Sequence, residues 1–127
     1  MKTILVDAID GLILKDGTIF EEMHQLLEKY PNPKLVLTGA NDEQFKEFNL
    51  DQSPYEVFTL KHNPEKTDPK YFEIMLDKYN LKPEEVVYFE HNKEAAEIAK
   101  SVGINTIFYD SAKRDLIELK NFLDSNL

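Results

Sequence analysis

Five short apolar runs, rich in β-branched and aromatic residues, are spread along the chain. They are Thr3–Val6, Lys34–Leu37, Tyr55–Leu60, Val86–Phe89 and Asn105–Tyr109. Because these runs stay largely apolar at successive positions instead of alternating with polar residues, they are typical of strands that are covered on both faces. They therefore predict a parallel sheet buried between two layers of helices.

Segments in which apolar residues recur at helical spacing separate these runs. They lie around Phe20–Tyr30, Asp42–Phe48, Phe72–Tyr79, Ala95–Val102 and Leu116–Leu123. The third is preceded by Asp68-Pro69, a good cap followed by proline at the first helical position. Strand and helix thus alternate from end to end, which predicts an α/β fold with a doubly wound, five-stranded parallel sheet in a single domain over residues 1–127.

One segment departs from this alternation. Asp16-Gly17 is a strong two-residue turn between short apolar arms, so residues 12–19 are expected to form a small β-hairpin flap directly after the first strand. Only about 25 residues separate the first strand from the second, and the next interval is similarly short. We therefore expect no cap domain.

The charge balance limits the partners that such a domain could bind. The chain has 24 acidic and 15 basic residues, a formal charge of −9, and no cysteine. Such a surface repels nucleic acid and anionic lipid. The apolar run at the N-terminus is too short for a signal peptide or a membrane span. A cytoplasmic protein with no nucleic-acid or membrane partner is expected, and a phosphate site would depend on lysine, backbone N–H groups or a metal, because Arg114 is the only arginine.

Ligands of open α/β sheets bind beyond the carboxyl ends of the strands. The polar residues at those positions follow each predicted strand in turn: Asp7 and Asp10, then Thr38-Gly39, then His62 and Lys66, then Glu90-His91-Asn92, and finally Asp110.

In this order the segments resemble the motifs of the haloacid dehalogenase (HAD) superfamily. In that family a first strand ends in D-x-D-G before a flap, a second ends in Ser or Thr, a lysine precedes a helix, and acids follow the fourth strand. The matching segments are Asp7-Ala8-Ile9-Asp10-Gly11, Leu37-Thr38-Gly39, Lys66-Thr67-Asp68-Pro69 and Glu90-His91-Asn92-Lys93-Glu94. The resemblance covers nearly the whole chain and implies a capless, Rossmann-like member of the family.

The resemblance implies phosphoryl transfer through an aspartyl-phosphate. Asp7 would be the nucleophile, and Asp10 would be a displaced general acid and base. Thr38, Gly39 and Lys66 would bind the oxygens of the phosphoryl group of a phosphorylated substrate.

The family also implies Mg²⁺, which would be held by Asp7 together with Glu90 and Asn92. Counting back from the glycine that ends the following helix, the family's metal-binding aspartate falls on His91 and its second acid on Ala95. Imidazole is a poor ligand for Mg²⁺, which prefers hard oxygen donors.

The first motif departs from the family in its spacing. The family separates its two aspartates by one residue, whereas Asp7 and Asp10 are three positions apart. If Asp10-Gly11 keeps the family register, Ala8 falls at the nucleophile position and the site is inactive. If Asp7 is the nucleophile, the loop contains one extra residue. We favour Asp7, because the alternative buries a carboxylate inside the strand at a desolvation cost.

Three functions follow from these features. The first is a weak or divergent Mg²⁺-dependent phosphatase of the HAD type. The second is a HAD-like domain that has lost catalysis and serves as a binding or scaffold module. The third is a receiver- or flavodoxin-like domain, against which the flap after the first strand argues.

Overall fold

All five apolar runs form parallel strands in the computed structural model, which describes residues 1–127. The strands are β1 (Thr3–Asp7), β2 (Lys34–Thr38), β3 (Glu56–Thr59), β4 (Val86–Glu90) and β5 (Asn105–Phe108). They form one sheet in the order β3-β2-β1-β4-β5, and every neighbouring pair is parallel. The predicted five-stranded parallel sheet is confirmed. Three strands run one residue further than their apolar runs, so that Asp7, Thr38 and Glu90 are the last residues of β1, β2 and β4.

Four helices connect the strands, and a fifth follows β5. They are α1 (Glu21–Glu28), α2 (Asp42–Glu47), α3 (Pro69–Lys78), α4 (Lys93–Ser101) and α5 (Leu116–Asn126), and single 3₁₀ turns lie at Leu50–Gln52 and Pro83–Glu85. As predicted, α3 begins at Pro69, and the side chain of Asp68 caps it by accepting a hydrogen bond from Lys70 N. None of these helices has the length and apolar character that a membrane span requires.

Apolar side chains fill both sides of the sheet, because successive residues of each strand point to opposite faces. On β1, Val6 packs in the cluster that contains residues of α1 and α5, whereas Leu5 packs in the cluster that contains residues of α3 and α4. Neither side chain is exposed. Burial on both faces is what the unbroken apolar runs predicted, and it leaves the strand ends as the place where polar side chains gather.

The flap is a minimal hairpin. Ile13 and Ile19 form a single antiparallel bridge, and Leu14 N donates a 2.8 Å hydrogen bond to Thr18 O across the turn. Gly17 has φ +85°, a conformation that side-chain-bearing residues rarely adopt, which explains the glycine in this turn. Ile13 is buried against the core, so the flap is anchored to the sheet. Between β1 and β2 the chain contains only this hairpin and α1, with no inserted domain.

Candidate active site

A cavity of about 230 Å³ opens at the carboxyl ends of β1, β2 and β4. This is where the strand order reverses in a doubly wound sheet, and it is the expected position of a ligand. Most of the residues singled out from the sequence line it: Asp7, Thr38, Gly39, Lys66, Glu90 and Asn92, together with His91. The topology therefore brings together side chains that are as many as 85 positions apart.

Asp7 is the central carboxylate of the cavity and is only 1% exposed. Its Oδ1 accepts a 3.0 Å hydrogen bond from Lys66 Nζ. Its Oδ2 accepts a 2.9 Å hydrogen bond from His91 N and also contacts His91 Nδ1. Ala8 is buried in the hydrophobic core and does not line the cavity. The structure thus orients Asp7, and not Ala8, toward the candidate site.

The extra residue of the first motif is absorbed in a tight turn. Leu12 N donates a 3.0 Å hydrogen bond to Asp7 O, and Asp10 adopts a left-handed conformation with φ +67°. Gly11 passes so close to β1 that a Cβ atom at this position would lie 2.3 Å from Asp7 O. No other residue fits there without moving the backbone of the residue expected to be the nucleophile.

This turn places the Asp10 carboxylate beside the cavity, not in it. Its Oδ2 lies 3.8 Å from His91 Nε2 and 3.7 Å from Lys15 Nζ, and Asp10 is not among the cavity-lining residues. Asp10 therefore lies at the rim of the cavity, close to His91. A role for Asp10 as general acid and base requires it to reach a leaving group from the rim.

Glu90 is the last residue of β4, lines the same cavity and is also only 1% exposed. Its Oε1 accepts a 2.9 Å hydrogen bond from Lys66 Nζ and another from Tyr88 OH. Its Oε2 accepts a 3.0 Å hydrogen bond from Asn92 N and lies 3.3 Å from His91 Nδ1. Asp7 and Glu90 are therefore bridged twice, by Lys66 on one side and by His91 on the other.

The two bridging side chains carry the positive charge of the site. Hydrogen bonds to Asp7 and then to Glu90 raise the pKa of His91 to about 10, so the imidazole is protonated at neutral pH. Burial acts to lower the pKa of Lys66, but the negative charges of Asp7 and Glu90 outweigh it and raise that pKa above its ordinary value. Two partly buried cations thus face two buried carboxylates.

The two carboxylates respond differently to this environment. Burial acts to raise the pKa of Glu90, but Lys66 and the hydrogen bonds to the carboxylate hold it well below its usual range. For Asp7, burial and then the negative charge of Glu90 outweigh the opposing effects of Lys66 and His91, so the pKa of Asp7 is raised above its ordinary value. Hydrogen bonds from Lys66 and His91 to the two oxygens of Asp7 oppose this rise, because hydrogen bonds to a carboxylate favour its ionised form.

Hydrogen-bond donors that could bind an anion also line the cavity. Thr38 Oγ1 accepts a 3.2 Å hydrogen bond from Ala40 N, which leaves its O–H free to donate. Gly39 and Ile9 also line the cavity, and their backbone N–H groups have no acceptor in the protein. Unpaired backbone N–H groups of this kind are suited to bind the oxygens of a phosphoryl group.

The donor set does not fit Mg²⁺. Ligand atoms of Asp7, Glu90 and His91 lie within 4.8 Å of one another, a spacing compatible with a metal site. However, all four carboxylate oxygens already accept hydrogen bonds, and one of the three groups is an imidazole. Asn92, which we expected as a third ligand, uses Oδ1 to cap α4 by accepting from Ala95 N at 3.0 Å. Mg²⁺ demands near-octahedral oxygen coordination, which these groups do not offer.

Two tyrosines donate hydrogen bonds to residues of the site, and neither was predicted from the sequence to do so. Tyr88 OH donates to Glu90 Oε1, and Tyr71 OH donates a 2.7 Å hydrogen bond to Thr38 O. The strand period of two would have identified Tyr88, because residues two apart on β4 lie on the same face. No local pattern identifies Tyr71, whose contact joins α3 to the end of β2.

Comparison with known proteins shows the fold more clearly than the activity. No established family model matches the chain. A phosphorylated carbohydrates phosphatase from Thermotoga maritima is 44% identical over 43 residues, which is 34% of this chain and 20% of that protein. The core domain of a Streptococcus pneumoniae protein assigned as a phosphoglycolate phosphatase superposes with a TM-score of 0.63 at 16% identity, covering 98% of this chain and 96% of that one.

A HAD family enzyme from Bacteroides thetaiotaomicron, crystallised with magnesium and inorganic phosphate, superposes with a TM-score of 0.58 at 17% identity. The match covers 69% of this chain and 51% of that enzyme, so the chain corresponds to about half of that relative. Together with the strand order and the hairpin after β1, these similarities show that the chain has the HAD fold.

Proposed function

We propose that the chain is a HAD-like phosphohydrolase in which Asp7 forms an aspartyl-phosphate with a phosphorylated substrate. The observation that carries the proposal is the position of Asp7: it is a buried carboxylate at the end of the central strand, bound to Lys66 and facing a cavity with free hydrogen-bond donors. The phosphatase named among the relatives of the chain supports the same reaction class.

The hydrogen bonds of Asp7 distinguish its two oxygens. Oδ2 is held by both the backbone N–H and the ring of His91, whereas Oδ1 contacts only Lys66 Nζ. Oδ1 is therefore the oxygen with a free lone pair, and it attacks phosphorus while the bond to the leaving oxygen breaks. Lys66 is placed to bind a transferring oxygen in the same step, together with Thr38 O–H. Water then attacks phosphorus and releases phosphate, which restores Asp7.

No carboxylic acid inside the cavity is assigned to protonate the leaving group. We assign this step to Asp10, whose carboxylate lies outside the cavity beside His91 Nε2. Since a displacement of about 1 Å can cost on the order of 100-fold in rate, a slow enzyme is expected. Phosphate esters whose leaving group needs no protonation will react fastest.

The absence of an inserted domain between β1 and β2 leaves the cavity open on one side. An open site shields a small metabolite poorly from water, so a larger phosphorylated substrate is the better fit. The HAD family uses Mg²⁺ to offset negative charge between the nucleophile and the phosphoryl group. Here the donor set does not fit that ion, and the reaction described above does not use it.

Hydrolysis of p-nitrophenyl phosphate tests the proposal, with and without EDTA. We expect activity in the wild-type protein that Asp7→Asn abolishes, while Asp51→Asn, which changes an exposed acid far from the cavity, has no effect. Equal traces of activity in all three proteins would instead support the second candidate, a HAD-like binding or scaffold domain without catalysis. That candidate is favoured by one observation, the position of Asp10 outside the cavity.

A further inference from the structure

Two side chains, Lys66 and His91, lie between the carboxylates of Asp7 and Glu90, where a bound cation would lie. A divalent ion bound to both Asp7 and Glu90 would have to lie between their carboxylates. On one side this place is taken by Lys66 Nζ, at 3.0 and 2.9 Å from the two residues. On the other side it is taken by His91 Nδ1, which contacts Asp7 Oδ2 and lies 3.3 Å from Glu90 Oε2.

We infer that Lys66 and His91 replace the divalent cation of this site, so that the protein binds its phosphorylated ligand without Mg²⁺. The inference deepens the proposed function and rests on it for the role of the site in catalysis. The exclusion of the metal does not depend on catalysis, because it rests on the positions of Lys66 and His91 between the two carboxylates.

Occupancy of the oxygens gives the first reason for this exclusion. Mg²⁺ binds oxygen at about 2.0–2.1 Å and requires six ligands in octahedral geometry. To reach Asp7 Oδ2 or Glu90 Oε2, it would have to displace the ring of His91, and at Oδ1 or Oε1 it would share its oxygen ligand with the charged Lys66 Nζ. Backbone N–H groups of His91 and Asn92 would still point at the same oxygens.

Charge gives the second reason. Lys66 Nζ lies 3.0 Å from Asp7 Oδ1 and 2.9 Å from Glu90 Oε1, so its positive charge already offsets part of the negative charge that would attract a divalent ion. Lys66 is anchored on the loop before α3 and is only 14% exposed, so its ammonium group cannot move away into solvent at little cost. A metal bound to Asp7 Oδ1 or Glu90 Oε1 would share that oxygen with this fixed positive charge.

The substitution that tests the inference is His91→Asp. It removes the ring from between the carboxylates and adds a third acid at the same position, so that three carboxylates face Lys66 alone. We expect wild-type protein to show no binding of Mg²⁺ by isothermal titration calorimetry, and His91→Asp to bind it at least about tenfold more tightly than the wild type. The control is His62→Asp, which adds an acid to the same cavity away from the two bridged carboxylates.

Thermal unfolding with and without Mg²⁺ provides a second readout that works even for a destabilised variant. An ion that binds only the folded state raises the midpoint of unfolding. We expect such a rise for His91→Asp and none for the wild type or His62→Asp. The inference is overturned if the wild type binds Mg²⁺, if folded His91→Asp does not, or if His62→Asp gains the same affinity. These outcomes do not depend on hydrolysis, so they are distinct from a failure of the proposed function.

Discussion

The ion pairs of His91 make the stability of the protein depend on pH in a defined direction. The pKa of His91 is about 10 in the folded protein and 6.5 for an ordinary histidine. A group whose pKa is raised by folding stabilises the folded state fully below its unfolded pKa, and this contribution is lost as the pH rises toward the folded pKa. Between pH 6.5 and 10 the contribution of His91 should therefore decline.

The magnitude follows from the same two values. Each pH unit between them corresponds to about 1.4 kcal/mol, which sets an upper limit of about 5 kcal/mol. The His91 side chain is 29% exposed, so solvent screens part of the interaction, and we expect a loss of about 2–3 kcal/mol. This is a large share of a typical folding free energy of about 5–15 kcal/mol.

Urea unfolding of the wild type and of His91→Asn at pH 6, 8 and 10 measures this effect. Asparagine keeps a neutral N–H donor near Asp7 but does not titrate, so subtraction of the two free energies of unfolding removes the contribution of every other group. The difference between the proteins should shrink by about 2–3 kcal/mol from pH 6 to pH 10. A difference that stays constant over this range would refute the assignment of a protonated His91 between the two carboxylates.

Three further substitutions probe the surroundings of the site by their effect on the free energy of unfolding in urea. Glu90→Gln leaves two partly buried cations facing the single carboxylate of Asp7 and should cost about 3–5 kcal/mol at pH 7; a cost below about 1 kcal/mol would contradict this balance of charges. Gly11→Ala places a Cβ atom 2.3 Å from Asp7 O and should lower the free energy of unfolding by about 1–3 kcal/mol, whereas an unchanged free energy would show that the turn can move. Tyr71→Phe leaves the carbonyl of Thr38 without its 2.7 Å hydrogen bond and should cost about 1–3 kcal/mol, and an unchanged stability would mean that this hydrogen bond contributes nothing.

The strands and helices could be predicted from the sequence because their signals are local. Unbroken apolar runs gave β1 to β5 to within two residues at each end, and Asp68-Pro69 marked the start of α3. Exposure of single residues was less predictable. Ile74 and Ile117 lie in the segments predicted as α3 and α5 from their apolar residues, yet they are 42% and 76% exposed.

Most of the residues that line the cavity could be predicted from the sequence, but the contacts between them could not. Asp7, Thr38 and Lys66 were identified because strand ends and family motifs mark them. The sequence did not decide which face of β4 Glu90 would occupy, nor that Glu90 and His91 would both contact Asp7. Those contacts depend on the pairing of β1 with β4, which are more than 80 residues apart, and such a pairing leaves no local pattern.

Mass spectrometry of the acid-quenched reaction tests most directly whether Asp7 is a nucleophile. The protein is incubated with p-nitrophenyl phosphate in EDTA, quenched, digested and mapped. The account predicts a phosphoryl group on the peptide that contains Asp7, and none on that peptide in Asp7→Asn. Hydrolysis that proceeds equally in both proteins, or a phosphoryl group on a different residue, would contradict it.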